Sequence, residues 1–290
     1  MNFIDLHTDF PLKLSLHEKS AAEYKNHPFE NYIQNSAIWI DDDILDKKGY
    51  YDKCIYKLKN YIKENEINIV SLENFSKNGM LLSVENASFL AEYPEYIDRF
   101  KEDKISIVSL TWNGDNKLAG GAAGNSGLTE IGEDVLKKLN KNKFVIDISH
   151  LNEKSAEKVI EAADFVAATH SNCKSVFGCK RNLSEKILLK IKEKNGLIGL
   201  CFYPEFLGGG NVFEKIRDNI VYLINLGLYK NICIGSDFDG AEMDENLQSN
   251  NDIYALYQYL GYNKIKKHIL DRIFYENAIA FFEGICKNIK

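Results

Sequence analysis

Short, almost continuously apolar runs recur along this chain of 290 residues, and each run ends in polar or turn-forming residues. They occupy residues 3–9, 36–41, 79–85, 105–113, 144–150, 165–170, 197–203 and 232–240. Strands of this length without polar alternation are typical of a parallel sheet that is covered on both faces. The pattern therefore favours an α/β fold with helices packed around the sheet.

Amphipathic helical patterns lie between the runs. Residues 152–163 carry apolar side chains at helical spacing, and Asn152 is a favourable N-cap residue. Residues 184–196 begin in the same way, with Ser184. Strands that alternate with helices predict a single (β/α)8 TIM barrel domain over residues 1–290. A doubly wound open sheet is the alternative, because the pattern does not show whether the sheet closes.

Composition excludes several classes of protein. The chain has 36 Lys and Arg against 42 Asp and Glu, a net charge of −6, and no basic block, so nucleic acid is not an expected partner. No run reaches the roughly 18 apolar residues of a membrane span, and the N-terminus lacks the basic segment of a signal peptide. We therefore expect a cytoplasmic protein without a membrane partner, whose six cysteines are reduced thiols.

Ionisable residues fall at the ends of the predicted strands, which converge on one mouth of a barrel. These residues are His7, Asp9, Glu85, His150, His170 and Asp237. Three histidines together with carboxylates form a nitrogen and oxygen donor set suited to zinc or a similar divalent metal. Three histidines and two of the carboxylates already make five ligands, more than the usual three protein ligands of one catalytic zinc, so the set predicts two metals and a bridging carboxylate.

Four further residues are interpreted from their local context. His17, His27 and His268 lie in polar helical or loop segments and are predicted to be surface residues. Arg181 follows His170 in a predicted loop, where its guanidinium could bind a substrate carboxylate with two parallel hydrogen bonds.

In these segments the chain resembles the membrane (renal-type) dipeptidase family, peptidase family M19, over nearly its full length. The matching segments are DLHTDFP (5–11), SVENA (83–87), IDISHLNE (146–153), THSN (169–172), RNL (181–183) and GSDFDG (235–240). Similarity to soluble bacterial members lies in LTWN (110–113), GLTEIG (127–132) and FYPEFL (202–207). The first strand carries His-x-Asp rather than the His-x-His of the broader amidohydrolase barrels, which favours the dipeptidase branch.

The resemblance implies a metal-dependent hydrolase barrel that holds two zinc ions, other divalent metals being an alternative. By motif position, His7 and Asp9 would bind one ion, His150 and His170 would bind the other, and Glu85 would bridge them in the catalytic centre.

The resemblance also implies roles for residues around the metals. Asp237 would move protons at the bridging water, Arg181 would hold the free carboxylate of a dipeptide, and Tyr203 would help to position the substrate. Animal members carry a substrate-contacting His where this chain has Trp112, so Trp112 or its neighbour Asn113 is the expected contact in its place.

The predicted function is that of a zinc-dependent dipeptidase in which a metal-bridging hydroxide attacks the peptide carbonyl of a dipeptide. One alternative is a related binuclear metallohydrolase that acts on another amide, such as an N-acyl amino acid or a lactam. The other alternative is a degenerate barrel that binds metal or peptide without turnover, which the Trp112 substitution motivates. The sequence leaves a homodimer open.

Overall fold

The computed structural model describes residues 1–15, 24 and 27–289. In this part of the chain, parallel strands form one nine-stranded sheet. The strands are β1 (Phe3–Thr8), β2 (Tyr32–Trp39), β3 (Ile69–Val70), β4 (Gly79–Glu85), β5 (Ile105–Ser109), β6 (Val145–Asp147), β7 (Val166–Ala168), β8 (Leu197–Leu200) and β9 (Ile232–Ile234).

Helices connect the strands. They are α1 (Phe10–Ser15), α2 (Lys47–Glu64), α3 (Tyr96–Glu102), α4 (Glu130–Lys141), α5 (Glu153–Ala162), α6 (Glu185–Glu193), α7 (Pro204–Leu207), α8 (Val212–Asn225), α9 (Ile253–Tyr262), α10 (Lys267–Asp271) and α11 (Asn277–Ile289). A short 3-10 helix spans Ser88–Ala91, and a π-helical turn spans Arg272–Glu276. None of the helices in the described residues combines the length and apolar character that a membrane crossing requires.

The sheet closes on itself because β2 pairs with both β1 and β4. The ring runs β1, β2, β4, β5, β6, β7, β8 and β9, and β9 pairs again with β1. The remaining strand, β3, pairs with the first half of β4 at Met80 and Leu81. This closed barrel of parallel strands confirms the predicted (β/α)8 fold and excludes the open sheet.

Each predicted run overlaps a strand of the barrel, but several strands end before their run does, and β2 begins at Tyr32 rather than at residue 36. Its first half is polar and nevertheless buried, because the polar groups bond to each other and to the neighbouring strand. Gln34 accepts a hydrogen bond from Tyr32 Oη at 2.8 Å, and Asn35 Nδ2 donates to the Leu6 carbonyl at 2.6 Å. Strand β3, only two residues long, was not predicted.

Both predicted N-caps are confirmed. Asn152 Oδ1 accepts a hydrogen bond from the Ser155 amide at 3.0 Å, and Ser184 Oγ accepts one from the Ile187 amide at 3.4 Å. These bonds satisfy amides that lack a partner within the first turn, and thereby fix where α5 and α6 begin.

Apolar packing leaves only one end of the barrel open for a site. An inner cluster takes side chains from every strand, among them Leu197 and Val145 at the start of β8 and β6. Ala278 and Phe282 of α11 belong to the same cluster, so this helix covers the N-terminal end of the barrel. An outer cluster fills the layer between the strands and the surrounding helices.

Candidate active site

The predicted site residues converge at the C-terminal end of the barrel. A cavity of about 530 Å³ opens there. Its lining includes all of them except His7: Asp9, Glu85, Trp112, Asn113, His150, His170, Arg181, Tyr203 and Asp237. His7 lies directly behind this lining with 1% of its surface exposed.

His7 reaches the site through an irregularity in β1. Leu6 packs in the inner apolar cluster, and regular alternation would turn the next side chain to the opposite face. The pairing of β1 with β2 shifts register between Asp5 and Thr8, which re-aims the side chains after the shift. The His7 ring therefore joins residues from the other strands inside the barrel mouth.

Glu85 lies at the centre of the donor cluster. Its Oε2 atom is 3.0 Å from His7 Nε2, and its Oε1 atom is 2.8 Å from His150 Nε2. His170 Nε2 lies 2.8 Å from His150 Nε2. Each oxygen of the Glu85 carboxylate therefore faces a different imidazole.

A second group of donors surrounds His7. Its Nε2 atom lies 3.8 Å from Asp9 Oδ2 and 3.9 Å from Asp237 Oδ1. Ligand atoms of His7, Asp9 and Asp237 all lie within 4.8 Å of one another, as do those of His7, Glu85 and His170. The cluster thus offers two overlapping sets of three donors.

Burial and neighbouring charges have opposing effects on the pKa values of His7 and Asp9. Burial lowers the pKa of His7, but the carboxylates of Glu85 and Asp9 outweigh this and hold it well above its usual value. Burial and the nearby carboxylates of Glu85 and Asp237 raise the pKa of Asp9 to about 7, although the neighbouring His7 imidazole acts in the opposite direction.

The pKa values of the other two histidines, His150 and His170, are lowered. Burial lowers the pKa of His150, and the Arg181 guanidinium lowers it further. Burial together with the charge of His7 holds the pKa of His170 well below its usual value. The pKa of Glu85 is also held well below its ordinary range, because His150 and His7 outweigh the effect of burial. The site therefore favours neutral imidazoles at His150 and His170, and the neutral imidazole is the form that binds metals.

Within the described part of the chain, two buried donor atoms lack partners that a metal ion could supply. Among the described residues, His7 Nε2 and Asp9 Oδ1 have no hydrogen-bond partner of good geometry. Unpartnered buried polar atoms are costly, and a cation between them would satisfy both and offset the surrounding carboxylates. Nitrogen and oxygen donors of this kind suit zinc. The residues present therefore fit a divalent metal centre.

Asp237 is held in a strained backbone conformation. Its φ is +69°, which is uncommon for a residue other than glycine, and its amide donates to the His7 carbonyl at 3.0 Å. The Cys201 thiol donates to Asp237 Oδ2 at 3.5 Å. A side chain at Gly240 would overlap the Asp9 carboxylate, so glycine is required beside the donors. Strain of this kind is typical of functional sites.

Arg181 is buried and incompletely paired. Only 8% of its surface is exposed, its Nη2 atom lies 3.2 Å from His150 Nε2, and its guanidinium stacks on Phe206 at 5.1 Å. Among the described residues, its Nε and Nη1 groups have no hydrogen-bond partner. Buried guanidinium N–H groups that lack a partner suit a carboxylate from a ligand in the cavity.

The structure adds residues that the sequence did not single out. Trp39, Lys180 and Phe206 line the cavity, and Trp39 meets Trp112 edge to face with ring centroids 5.2 Å apart. Asn113 was predicted to contact substrate, and its Oδ1 atom lies 3.0 Å from His150 Nδ1. No motif in the sequence marks this contact between Asn113 and His150.

The histidines predicted to lie at the surface differ from one another. His268 is exposed, as predicted. His27 is half-buried, with its ring centroid 4.6 Å from that of Tyr32, because aromatic side chains surround it. The prediction of a surface position is therefore wrong for His27. His17 lies outside the described residues.

Comparisons with known proteins identify the family of this chain. Residues 54–286 match the model of a family described as membrane dipeptidase (peptidase family M19). The matched range contains Glu85, His150, His170, Arg181 and Asp237 and begins after the first strand. An uncharacterized dipeptidase of Schizosaccharomyces pombe is 26% identical over 56% of this chain, and the chain spans 42% of that relative's length.

Two solved structures share the fold. The crystal structure of dipeptidase AC, a metallopeptidase of family M19, has a TM-score of 0.87 at 20% identity and covers 98% of each chain. A metallopeptidase from Rhodobacter sphaeroides, crystallised with a phosphinate mimic of the dipeptide L-Ala-D-Ala, has a TM-score of 0.83 at 19% identity. That match covers 98% of this chain and 99% of the other.

Proposed function

This chain belongs to peptidase family M19, and from that premise we propose that it is a zinc-dependent dipeptidase. The observation that carries the proposal is the placement of the buried Arg181 guanidinium beside the donor cluster centred on Glu85. The guanidinium suits a free carboxylate, and the donor cluster next to it suits metal ions that act on the adjacent amide.

The donor cluster divides between two zinc ions in this proposal. His7 and Asp9 would hold one ion, His150 and His170 would hold the other, and Glu85 would serve both. When bound, zinc would supply Lewis acidity and would lower the pKa of bound water towards neutrality. The two Glu85 oxygens, 3.0 Å from His7 Nε2 and 2.8 Å from His150 Nε2, support this division because each faces a histidine of a different pair.

Asp237 handles the protons of the reaction. Its carboxylate faces the cavity 3.9 Å from His7 Nε2, and the Cys201 thiol orients its other oxygen. It accepts the proton of the attacking water and later delivers a proton to the leaving amine, as one group that serves as base and then as acid. The fixed backbone of Asp237 keeps this carboxylate in place.

Arg181 selects the substrate. Its guanidinium, whose Nε and Nη1 groups are unpaired among the described residues, would bind the C-terminal carboxylate of a dipeptide through two parallel hydrogen bonds, one of them from Nη2. Anchoring that end places the neighbouring amide over the donor cluster and limits the enzyme to short substrates. Tyr203, Trp112 and Asn113 line the rest of the cavity and would contact the bound dipeptide.

A second candidate is hydrolysis of an N-acyl amino acid. The observation that favours it is the apolar wall formed by Trp39 and Trp112, which would accept an apolar acyl group as readily as an amino-acid side chain. Such a substrate keeps the carboxylate that Arg181 would bind.

One experiment tests both candidates. Purified protein is stripped of metal, reloaded with zinc, and assayed on a panel of dipeptides and of N-acyl amino acids. We expect hydrolysis of dipeptides that disappears on chelation and returns with about two zinc ions per chain. Turnover of N-acyl amino acids alone would favour the second candidate. No turnover of any dipeptide by fully loaded protein would overturn the proposal.

A further inference from the structure

Thr169 lies between two of the metal-donor histidines. Its Oγ1 atom is 3.1 Å from His7 Nδ1 and 3.0 Å from His170 Nδ1, and the residue is fully buried. We propose that this one hydroxyl sets the tautomer and orientation of both rings, so that Thr169 is a positioning residue shared by the two metal sites. The inference rests on the metal-dependent function proposed above.

The Thr169 hydroxyl has a single proton, which determines the direction of each of its hydrogen bonds. Thr169 Oγ1 also lies 2.5 Å from Asp147 Oδ2, and a carboxylate oxygen can only accept. The single hydroxyl proton therefore goes to Asp147. The two lone pairs of Oγ1 that remain can accept one N–H group each, from His7 Nδ1 and from His170 Nδ1.

This arrangement prepares both rings for metal binding. An imidazole that donates from Nδ1 presents the lone pair of Nε2. In His7 and His170 it is Nε2 that faces the site, 3.0 Å from Glu85 Oε2 and 2.8 Å from His150 Nε2 respectively. Partners that orient metal-binding histidines in this way commonly affect metal affinity by about ten- to a hundredfold.

Asp147 is itself held rigidly. Its Oδ1 atom accepts hydrogen bonds from the Ser149 amide at 3.0 Å, from Ser149 Oγ at 2.6 Å and from the Thr169 amide at 3.0 Å. These bonds occupy Oδ1 and leave Oδ2 for the Thr169 hydroxyl. Asp147 ends β6 and Thr169 directly follows β7, so neighbouring strands of the barrel carry both partners.

The backbone at Thr169 is equally confined. A Cβ at Gly199 or at Gly235 would overlap the Thr169 carbonyl oxygen, so glycine is needed at both positions for β8 and β9 to pack here. The hydroxyl is thereby fixed from the backbone side as well as through Asp147.

His150 uses a different partner, Asn113 Oδ1, at 3.0 Å from its Nδ1 atom. The proposal therefore makes a specific claim. Loss of the Thr169 hydroxyl disturbs a ligand of each metal ion and should weaken both sites, whereas loss of one histidine should chiefly weaken one.

Three variants test the claim. Thr169→Val removes the hydroxyl at nearly constant shape, and Thr169→Ser keeps it. Thr111→Val is the matched control, because Thr111 is also fully buried at a strand end and its Oγ1 has no partner among the described residues. Zinc affinity at both sites is measured by competition with a chromophoric chelator, and circular dichroism verifies that each variant is folded.

We expect Thr169→Val to weaken both zinc sites by about ten- to a hundredfold, whereas Thr169→Ser and Thr111→Val stay close to wild type. Wild-type affinity in Thr169→Val, a loss at one site only, or an equal loss in Thr169→Ser would overturn the proposal. A wild-type protein that binds zinc but cleaves no dipeptide would overturn the proposed function and leave this proposal standing. A wild-type protein that binds no zinc would overturn both.

Discussion

Trp39 and Trp112, the two tryptophans of the chain, meet edge to face with their ring centroids 5.2 Å apart. Trp39 ends β2 and Trp112 follows β5, so the pair lies on either side of β4, the strand that Glu85 ends. Both rings line the cavity, and Trp112 also lies 6.2 Å from the ring of His150. The pair forms an apolar wall next to the metal donors.

The wall predicts a preference for apolar substrates. Replacing Trp112 with Ala should raise KM for dipeptides with an aromatic side chain by about two- to tenfold, because an aromatic pair contributes about 0.5–1.5 kcal/mol beyond its buried area. Steady-state kinetics on such a dipeptide and on glycylglycine provides the comparison, and glycylglycine should change little. An equal rise for both substrates would show that Trp112 supports the site structurally.

The position of Glu85 predicts that removing its charge weakens the binding of both zinc ions. Because its oxygens face His7 at 3.0 Å and His150 at 2.8 Å, Glu85→Gln removes a negative charge from between both ions and should lower both affinities. His150→Ala should chiefly lower one of them. Calorimetric zinc titrations of the two variants make the measurement. A second ion held at wild-type affinity in Glu85→Gln would rule out the bridging role.

Zinc binding should strengthen as the pH rises. The metal-free protein favours protonated His7, whose pKa is held well above its usual value, and this proton must leave before Nε2 can bind a metal. Below about pH 7, Asp9 must also lose a proton, because its pKa is raised to about 7. His150 and His170 have lowered pKa values and contribute little.

The expected slope is about tenfold in affinity per pH unit for each proton released, and it should be steepest below pH 7. Zinc affinities measured by chelator competition between about pH 6 and about pH 8 test this, since imidazole titration falls in that range. Affinity that does not change with pH would show that His7 is neutral in the metal-free protein.

The barrel was predictable because most of its strands are nearly continuously apolar, and polar residues at or after the ends of several strands meet at one mouth of the closed sheet. Where local polarity misleads, the prediction fails: the start of β2 was missed because Gln34 and Asn35 are polar yet satisfied by hydrogen bonds. Strand β3 is too short for any periodicity.

The residues that surround and position the metal donors were less predictable from the sequence than the donors themselves. Thr169 stands beside His170 in the chain, but its hydroxyl bonds to His7, 162 residues away, and to Asp147, 22 residues away. Trp39 ends a strand without any motif that marks it. Contacts of this kind follow from the closure of the barrel, which a pattern of polar and apolar residues does not encode.

Arg181 separates a dipeptidase from a general amidase. A bidentate bond between guanidinium and carboxylate in a buried pocket contributes about 1.5–3 kcal/mol, which corresponds to about ten- to a hundredfold in kcat/KM. We therefore expect Arg181→Ala to lose that factor on dipeptides with a free C-terminal carboxylate and almost nothing on their C-terminal amides. Arg181→Lys keeps the charge without the planar fork and should fall in between.

Lys180→Ala is the matched control, because Lys180 is the neighbouring cation at the same cavity and is exposed to solvent, where a charge contributes little. Kinetics of the three variants on paired acids and amides, together with zinc content, provide the test. Bound zinc should not fall in any variant, because no arginine or lysine is among the predicted ligands. An equal loss on acids and amides would mean that Arg181 acts through its contact with His150 at 3.2 Å, and substrates without a carboxylate would then come into question.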